Sequence, residues 1–252
     1  MTKNITPKTA LITGGAEGIG FAIARELKAR GSRVMINDIN AQKLKEVADE
    51  FGFECVAADA GTIEGVDKMM RVVREHYGTL DMLVANAAIT RFSPFLEMTP
   101  EAFDDVVNLN LKGSYFLTQK AAQLMIDHDV TGSILLISSN VSKRAFPNLS
   151  AYGATKAAIN QLARSLSVEL SPYGIRVNAL APGPTLTERT QQELASYADD
   201  WAKVLPTNDV VRPEDIAATA NFLLSSGARQ INGQTIMVDG GWTGLSVTPA
   251  YN

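Results

Sequence analysis

The sequence predicts an α/β fold: one doubly wound parallel sheet of seven strands with helices on both faces. Near-continuous apolar runs recur along the chain. Between them lie stretches with apolar residues at every third or fourth position. No linker, repeat or low-complexity segment interrupts this alternation. The chain has 252 residues, 46% of them hydrophobic, enough for a large core, so a single domain over 1–252 is expected.

The strands are predicted at 9–13, 33–37, 53–58, 80–86, 132–138, 175–181 and 234–239. The helical patterns cover 19–29, 40–50, 62–76, 100–127, 151–170 and 213–225. The segment 184–206, "PTLTERTQQELASYADDWAKVLP", stands apart. It is helical in period, lies between two strands and opens on a Pro-Gly-Pro turn. An insertion there would sit beyond a strand's C-terminal end, where open α/β sheets bind ligands. It is read as a substrate lid.

Charge is balanced, with 23 Lys+Arg against 27 Asp+Glu, so no basic excess points to nucleic acid. No apolar run approaches the ~20 residues of a membrane helix, and the N-terminus has no secretory core. The lone cysteine, Cys55, cannot form an internal disulfide, which places the protein by default in a reducing cytosol. No His/Cys cluster suggests a metal.

The first strand runs into "TGGAEGIG", Thr13 to Gly20, and then a helix. Gly14, Gly18 and Gly20 let the backbone turn tightly and approach a pyrophosphate, and the helix N-terminus faces the anion with free N–H groups. In this strand–turn–helix–strand context the pattern predicts a Rossmann-type dinucleotide site. Asp38 closes the second strand, where its carboxylate can accept both hydroxyls of an adenosine ribose and repel a 2′-phosphate. Glu17 puts a second acid in the turn, and Ile39 and Asn40 follow Asp38 where a base would serve a phosphate. The expected cofactor is NAD rather than NADP. A helix cap or plain turn aspartate is the alternative for Asp38, and Lys43 is the nearby cation that weighs against NAD. Asp59, ending the third strand, is placed to meet the adenine or to serve only as a turn aspartate, with Ala60 beside it.

The stretch "NLSAYGATKAAI", 148–159, sets Tyr152 and Lys156 one helical turn apart among small residues. Residues i and i+4 share a face, and a cation beside a phenol favours the phenolate. Lowering a phenol pKa by ~3 units takes ~4 kcal/mol, which a close ammonium and a positive nicotinamide ring could largely supply. Ser138 and Ser139 end the fifth strand, and a hydroxyl there can hold a substrate oxygen while Tyr152 exchanges a proton with it. In 100–127, Phe103, Val107, Asn110, Ser114, Leu117, Ala121 and Leu124 follow a four-three spacing on one stripe. Asn110, an amide on an apolar face, is either a structural hydrogen bond or a water site feeding protons toward Lys156.

Taken in order, "TGGAEGIG", "ANAA" at 85–88, "VNLNLKG" at 107–113, "ISS" at 137–139, "YGATK" at 152–156, "RVNALAPGPTLT" at 176–187 and "INGQTIMVDGG" at 231–241 make the chain resemble the short-chain dehydrogenase/reductase family over nearly its full length. The resemblance implies a catalytic tetrad of Asn110, Ser139, Tyr152 and Lys156. Tyr152 would be the general base for alcohol oxidation and the acid for ketone reduction. Ser139 would orient the substrate oxygen, Lys156 would lower the tyrosine pKa and bind the nicotinamide ribose, and Asn110 would hold a relay water. It also places Asn86 and Ala87 along the adenosine side, Ile19 near the pyrophosphate, and Pro182, Gly183, Thr185 and Thr187 around the carboxamide. The chain departs from the family pattern at Ala85-Asn86-Ala87-Ala88, where Ala88 replaces a glycine and adds a methyl near the ribose. A homotetramer built through 100–127, 151–170 and the C-terminal strand is implied as well.

Substrate contacts are expected from 88–95, 140–146 and the lid. The apolar candidates are Phe92, Phe95, Phe146, Trp201 and Leu205, and the cationic ones Arg91, Arg144 and Arg189. An arginine in the pocket would suit a carboxylate or phosphate. Three functions follow. The first is an NAD-dependent dehydrogenase of secondary alcohols, whether polyol, sugar, cyclic alcohol or hydroxy acid. The second is an NADPH-dependent keto reductase, acyl-carrier-linked substrates included. The third is an NAD-sensing scaffold without turnover.

Overall fold

The computed structural model describes residues 7–245. Seven strands, β1 (Thr9–Thr13), β2 (Arg33–Asp38), β3 (Glu54–Ala57), β4 (Met82–Ala85), β5 (Ser133–Ile137), β6 (Arg176–Pro182) and β7 (Thr235–Val238), form one parallel sheet in the order β3-β2-β1-β4-β5-β6-β7. All seven lie within two residues of their predicted bounds. The order reverses between β1 and β4, and the crevice at that switch point, beyond the strands' C-terminal ends, is where such sheets bind ligands.

The helices are α1 (Gly18–Ala29), α2 (Ala41–Phe51), α3 (Ile63–Tyr77), α4 (Pro100–Val107), α5 (Ser114–Asp127), α6 (Ser150–Leu170), α7 (Glu188–Glu193), α8 (Tyr197–Ala202), α9 (Pro213–Leu224) and α10 (Trp242–Leu245). Two apolar layers result, as continuous apolar strands require. On one face Ile12, Ile36 and Val84 pack with Ile23 and Leu27 of α1 and Ile216 and Leu223 of α9. On the other, Leu11, Leu83 and Ile134 pack with Met69 of α3, Leu117 of α5 and Ile159 of α6. A smaller third cluster gathers Trp201, Leu205, Val210 and Trp242 beside the 184–206 segment.

Two helical expectations are corrected. The pattern over 100–127 is not one regular helix: a π turn, Asn108–Gly113, separates α4 from α5. The chain there must pass tight against the loop after β3; a Cβ on Gly113 would lie 2.0 Å from the Ala60 carbonyl oxygen. A π turn rotates the helix face that precedes it relative to the one that follows. The predicted stripe holds from Asn110 within it onward, where Asn110, Ser114, Leu117, Ala121 and Leu124 are buried. Before it the stripe is one residue out of step: Val106 is buried and Phe103 is exposed. The 184–206 segment likewise breaks at Leu194–Ser196 into α7 and α8. Thr187 and Thr190 close a reciprocal cap at the start of α7. The break lets α8 bring Trp201 edge-on to Trp242, ring centroids 6.2 Å apart.

Candidate active site

The end of β1 and the start of α1 build the first half of the site. Gly14 and Gly18 both have positive φ, and α1 begins with no side-chain cap, so its first N–H groups face the crevice. Gly20 does a different job from the one expected: it does not line the cavity. A Cβ there would sit 2.1 Å from the Gly14 carbonyl oxygen, so its lack of a side chain lets α1 approach the turn. Asn86 clamps this turn by donating its amide to the Thr13 and Gly14 carbonyls, at 2.9 and 3.1 Å. Thr13 Oγ1 accepts from the backbone N–H groups of Asn86 and Ala87, both at 3.0 Å.

At the end of β2, Asp38 accepts from the Asn40 N–H at 3.1 Å and more weakly from the Ala16 N–H at 3.4 Å. It is not the cap of α2: the Asn40 side chain takes that role, accepting from the Lys43 N–H. Lys43 is ion-paired with Glu17, with Glu188 and Asp38 near enough to favour its charge further. Asp59 closes a turn onto the Gly61 N–H at 2.8 Å.

The second half comes from β5 and α6. Ser138 Oγ donates to the Lys156 carbonyl at 2.9 Å, pinning strand to helix. Ser139 donates to Asn140 Oδ1 at 3.2 Å, and its hydroxyl and that of Thr90 lie close enough to the Tyr152 phenol to favour its ionised form. Asn110 is fully buried, and its amide holds both backbone groups of Ile89: Oδ1 accepts from the N–H and Nδ2 donates to the carbonyl, each at 2.9 Å.

The electrostatics differ from the expected ammonium–phenolate pair. Burial pushes the Tyr152 phenol above its ordinary value, opposed by the Ser139 hydrogen bond, the Arg189 charge and the Thr90 hydrogen bond, in that order. Lys156 is not among those influences. It is 2% exposed, and burial pulls its own pKa down to about 7. Its Nζ donates to the Ile137 carbonyl at 2.7 Å and stands 5.6 Å from the centre of the Tyr152 ring. Burial therefore favours the protonated phenol and the neutral amine.

The two halves share one cavity of about 520 Å³ running from Asp38 and Ile39 past Gly18 and Ile19 to Ser139, Tyr152 and Lys156. The residues fit a bound dinucleotide. The glycine turn presents bare backbone, the uncapped α1 start offers N–H donors, and Asp38 stands where a ribose would lie.

Comparison with known proteins agrees. A family model described as enoyl-(acyl carrier protein) reductase matches residues 14–243. The L-rhamnose 1-dehydrogenase (NAD(P)(+)) of Azotobacter vinelandii is 34% identical over 93% of this chain and 96% of its own. The 3-oxoacyl-[acyl-carrier-protein] reductase FabG of Chlamydia trachomatis is 36% identical over 96% and 99%. The chain is a short-chain dehydrogenase/reductase. Among solved structures, the 3-ketoacyl-(acyl-carrier-protein) reductase of Brucella melitensis complexed with NADH superposes with a TM-score of 0.87, at 32% identity over 94% of this chain and 98% of that one.

On this short-chain dehydrogenase/reductase frame most of the expected residues converge. Gly14, Glu17, Gly18, Ile19, Asp38, Ile39, Asp59, Ala60, Asn86, Ala87, Pro182, Gly183, Thr185 and Thr187 all line the cavity, as do Ser139, Tyr152 and Lys156. So do Phe92, Phe146, Arg189 and Trp201. Two expected arginines do not. Arg91 pairs with Asp105 at 3.2 Å, and Arg144 donates to the Thr243 carbonyl at 2.8 Å, which commits both to neighbouring structure. Phe95 is exposed and Leu205 is buried in the third cluster, both outside the cavity wall. Asn37, Glu188, Glu193, Tyr197 and Trp242 line the cavity without having been singled out. Asn37 was readable as the one amide in an apolar strand; it donates to the Val56 and Ala58 carbonyls, both at 2.9 Å. Trp242 carried no signal, because a tryptophan after a Gly-Gly pair looks like any core anchor.

Proposed function

We propose that this family member is an NAD-dependent dehydrogenase of secondary alcohols, with Tyr152 as the group that takes up or returns the proton. The observation that carries this reading is the continuous cavity joining Asp38 to the Ser139–Tyr152–Lys156 cluster. When bound, the nicotinamide supplies the hydride acceptor or donor. The chain's own residues supply the rest. Ser139 and Tyr152 share a hydrogen bond, so a substrate oxygen placed between them meets one group that orients it and one that exchanges its proton. Lys156, poised near neutrality, receives that proton onward. Asn110 contributes by placing the Ile89 backbone, since its amide is committed there. The 184–206 segment acts as the lid, and Thr185 ties its base to Val211.

The preference for NAD rests on charge. Asp38 offers a carboxylate to the ribose, and Lys43 is already held by Glu17. Titration with NAD, NADH, NADP and NADPH, followed by intrinsic fluorescence, should show NAD(H) preferred tenfold or more, about 1.4 kcal/mol. A preference for NADP(H) would instead favour keto reduction of the kind named in the Chlamydia relative.

For the substrate we favour a sugar or cyclic polyol. The cavity that holds Tyr152 is also lined by the aromatic side chains Phe146, Tyr197, Trp201 and Trp242. Such surfaces suit the apolar face of a ring. Trp201 Nε1–H is buried and meets no acceptor, and movement of α8 as the lid closes would let an oxygen-rich substrate supply one. The Azotobacter relative, named for a sugar, points the same way. Trp201→Phe should raise KM roughly 2- to 13-fold, the worth of one hydrogen bond, with at most a modest fall in thermal stability because the void left by the smaller ring is offset by removal of an orphan donor. A fall in stability without a change in KM would reject the assignment.

We also propose a homotetramer. Val168 on α6, 74% exposed, with Phe103 on α4 and Tyr115 on α5, presents apolar surface on the expected helices. Light scattering at the monomer mass would reject this.

A further inference from the structure

Tyr152, Lys156 and Asn160 fall at successive i+4 positions of α6, and the third has no part in the mechanism above. Asn160 is 7% exposed. Its Nδ2 donates to Ser142 Oγ at 2.7 Å, and Ser142 Oγ donates in turn to the Ser139 carbonyl at 2.5 Å. Ser142 has one hydroxyl proton, and Ser139 takes it, so Ser142 must accept from Asn160. That fixes the amide orientation and leaves Asn160 Oδ1 buried with no partner. A buried acceptor without a donor costs stability, and an apolar residue of similar size would avoid the cost. The asparagine is thus a poor choice for packing and a good one for its single donated bond.

That bond spans the two elements that must be held together. Ser139 sits on the turn after β5, while Tyr152 and Lys156 sit on α6. Ser138 pins strand to helix before the catalytic serine, at the Lys156 carbonyl. The Asn160–Ser142 chain pins the turn after it. Between the two, Ser139 has its backbone fixed on both sides and its hydroxyl beside the phenol, within reach of both Asn140 Oδ1 and Tyr152.

We propose that Asn160 is a positioning residue which, through Ser142, locks the 139–142 turn to α6 and keeps the Ser139 hydroxyl on Tyr152. The proposal rests on the dehydrogenase reading, because its effect is on proton transfer at Tyr152. The charged groups on the cavity wall that the phenol shares are Lys156 on α6, Arg189 with its partner Glu193 on α7, and Glu188 beside them. Neither Asn160 nor Ser142 substitution removes any of them.

The test measures kcat/KM for alcohol oxidation against pH in the full-length protein with NAD, for Asn160→Leu, Ser142→Ala, Ser142→Thr and Asn160→Leu/Ser142→Ala, alongside melting temperature. When Tyr152 ionises, Ser139 can turn its one hydroxyl proton from Asn140 Oδ1 to the phenolate and favour it, so loosening Ser139 should move the rising limb up by about one pH unit, a tenfold loss below the limb. Asn160→Leu and Ser142→Ala should show the same shift, the double variant no more than either, and Ser142→Thr, which keeps the hydroxyl, none. Melting of Asn160→Leu should be unchanged or raised, with cofactor affinity retained. An unshifted limb in both single variants, or a uniform loss of rate with lowered melting, overturns the proposal. If Asn160→Leu does not fold, the role assigned to its amide is structural and the proposal falls unless Ser142→Ala, on the half-buried turn, still shifts the limb. Absence of nicotinamide-dependent turnover in the unsubstituted protein would instead overturn the dehydrogenase reading, and this inference with it.

Discussion

Tyr152→Phe is expected to lose turnover by about 10²- to 10⁴-fold, the usual contribution of a positioned acid–base group, while still binding the dinucleotide. The substitution removes one oxygen and keeps the ring, so no void forms on α6. Ser139 retains its bond to Asn140 at 3.2 Å, and the cavity keeps its other walls. The cost to folding should therefore stay near 1 kcal/mol or less. The direction of pH dependence also follows. Burial holds the phenol protonated above its ordinary range, so Tyr152 is a ready acid for ketone reduction across neutral pH. As a base for alcohol oxidation it must first lose that proton, so oxidation should climb on the alkaline side and reduction should fall there. Steady-state rates in both directions, with cofactor binding measured separately, check this. Turnover within tenfold of the unsubstituted protein would remove Tyr152 from the mechanism, and binding without turnover in the unsubstituted protein would favour an NAD-binding scaffold.

The strands and the cofactor turn were legible because each rests on local constraints. A strand buried on both faces must be apolar throughout, and a backbone approaching a phosphate cannot carry side chains. The Tyr152–Lys156 spacing was legible for the same reason, as one turn of helix puts both on one face. What the sequence hid depends on distant partners. The π turn at 108–113 answers to the Ala60 carbonyl and the Ile89 backbone, each about 20 or more residues away along the chain. The direction of the Lys156 ammonium was not legible for a similar reason. Spacing gives the face shared by two side chains, but the Ile137 carbonyl and the dryness of the site decide where the ammonium points and whether it keeps its charge. Arg91 and Arg144 looked like substrate ligands until Asp105 and the Thr243 carbonyl were seen to hold them.

Lys156→Met should make the ligand-free protein more stable below neutral pH, at the expense of catalysis. In the folded state burial pulls the lysine pKa from 10.5 to about 7. In the unfolded chain it returns to its ordinary value, so between pH 7 and 10.5 the unfolded state holds a proton that the folded state has lost. Stability from this site therefore rises as pH climbs through that window. Below pH 7 both states are protonated, and the folded protein bears the full cost of an ammonium in a dry site. A shift of that size corresponds to about 5 kcal/mol. Methionine fills similar space without a charge, but leaves the Ile137 carbonyl without its donor at about 1–3 kcal/mol. The net gain at pH 6 is then about 2–4 kcal/mol, or roughly 5–15 °C in melting temperature for a chain of this length. The advantage should shrink steadily with pH and be gone by about pH 10, where the folded state has long lost the proton that the unfolded chain still holds. Melting curves of both proteins from pH 6 to 10 measure this directly. A variant less stable at pH 6, or a gap that does not narrow with pH, would mean that the ammonium is solvated or paired in solution. The predicted trade is physical: a lysine whose proton can move at neutral pH is one whose charge the fold does not welcome.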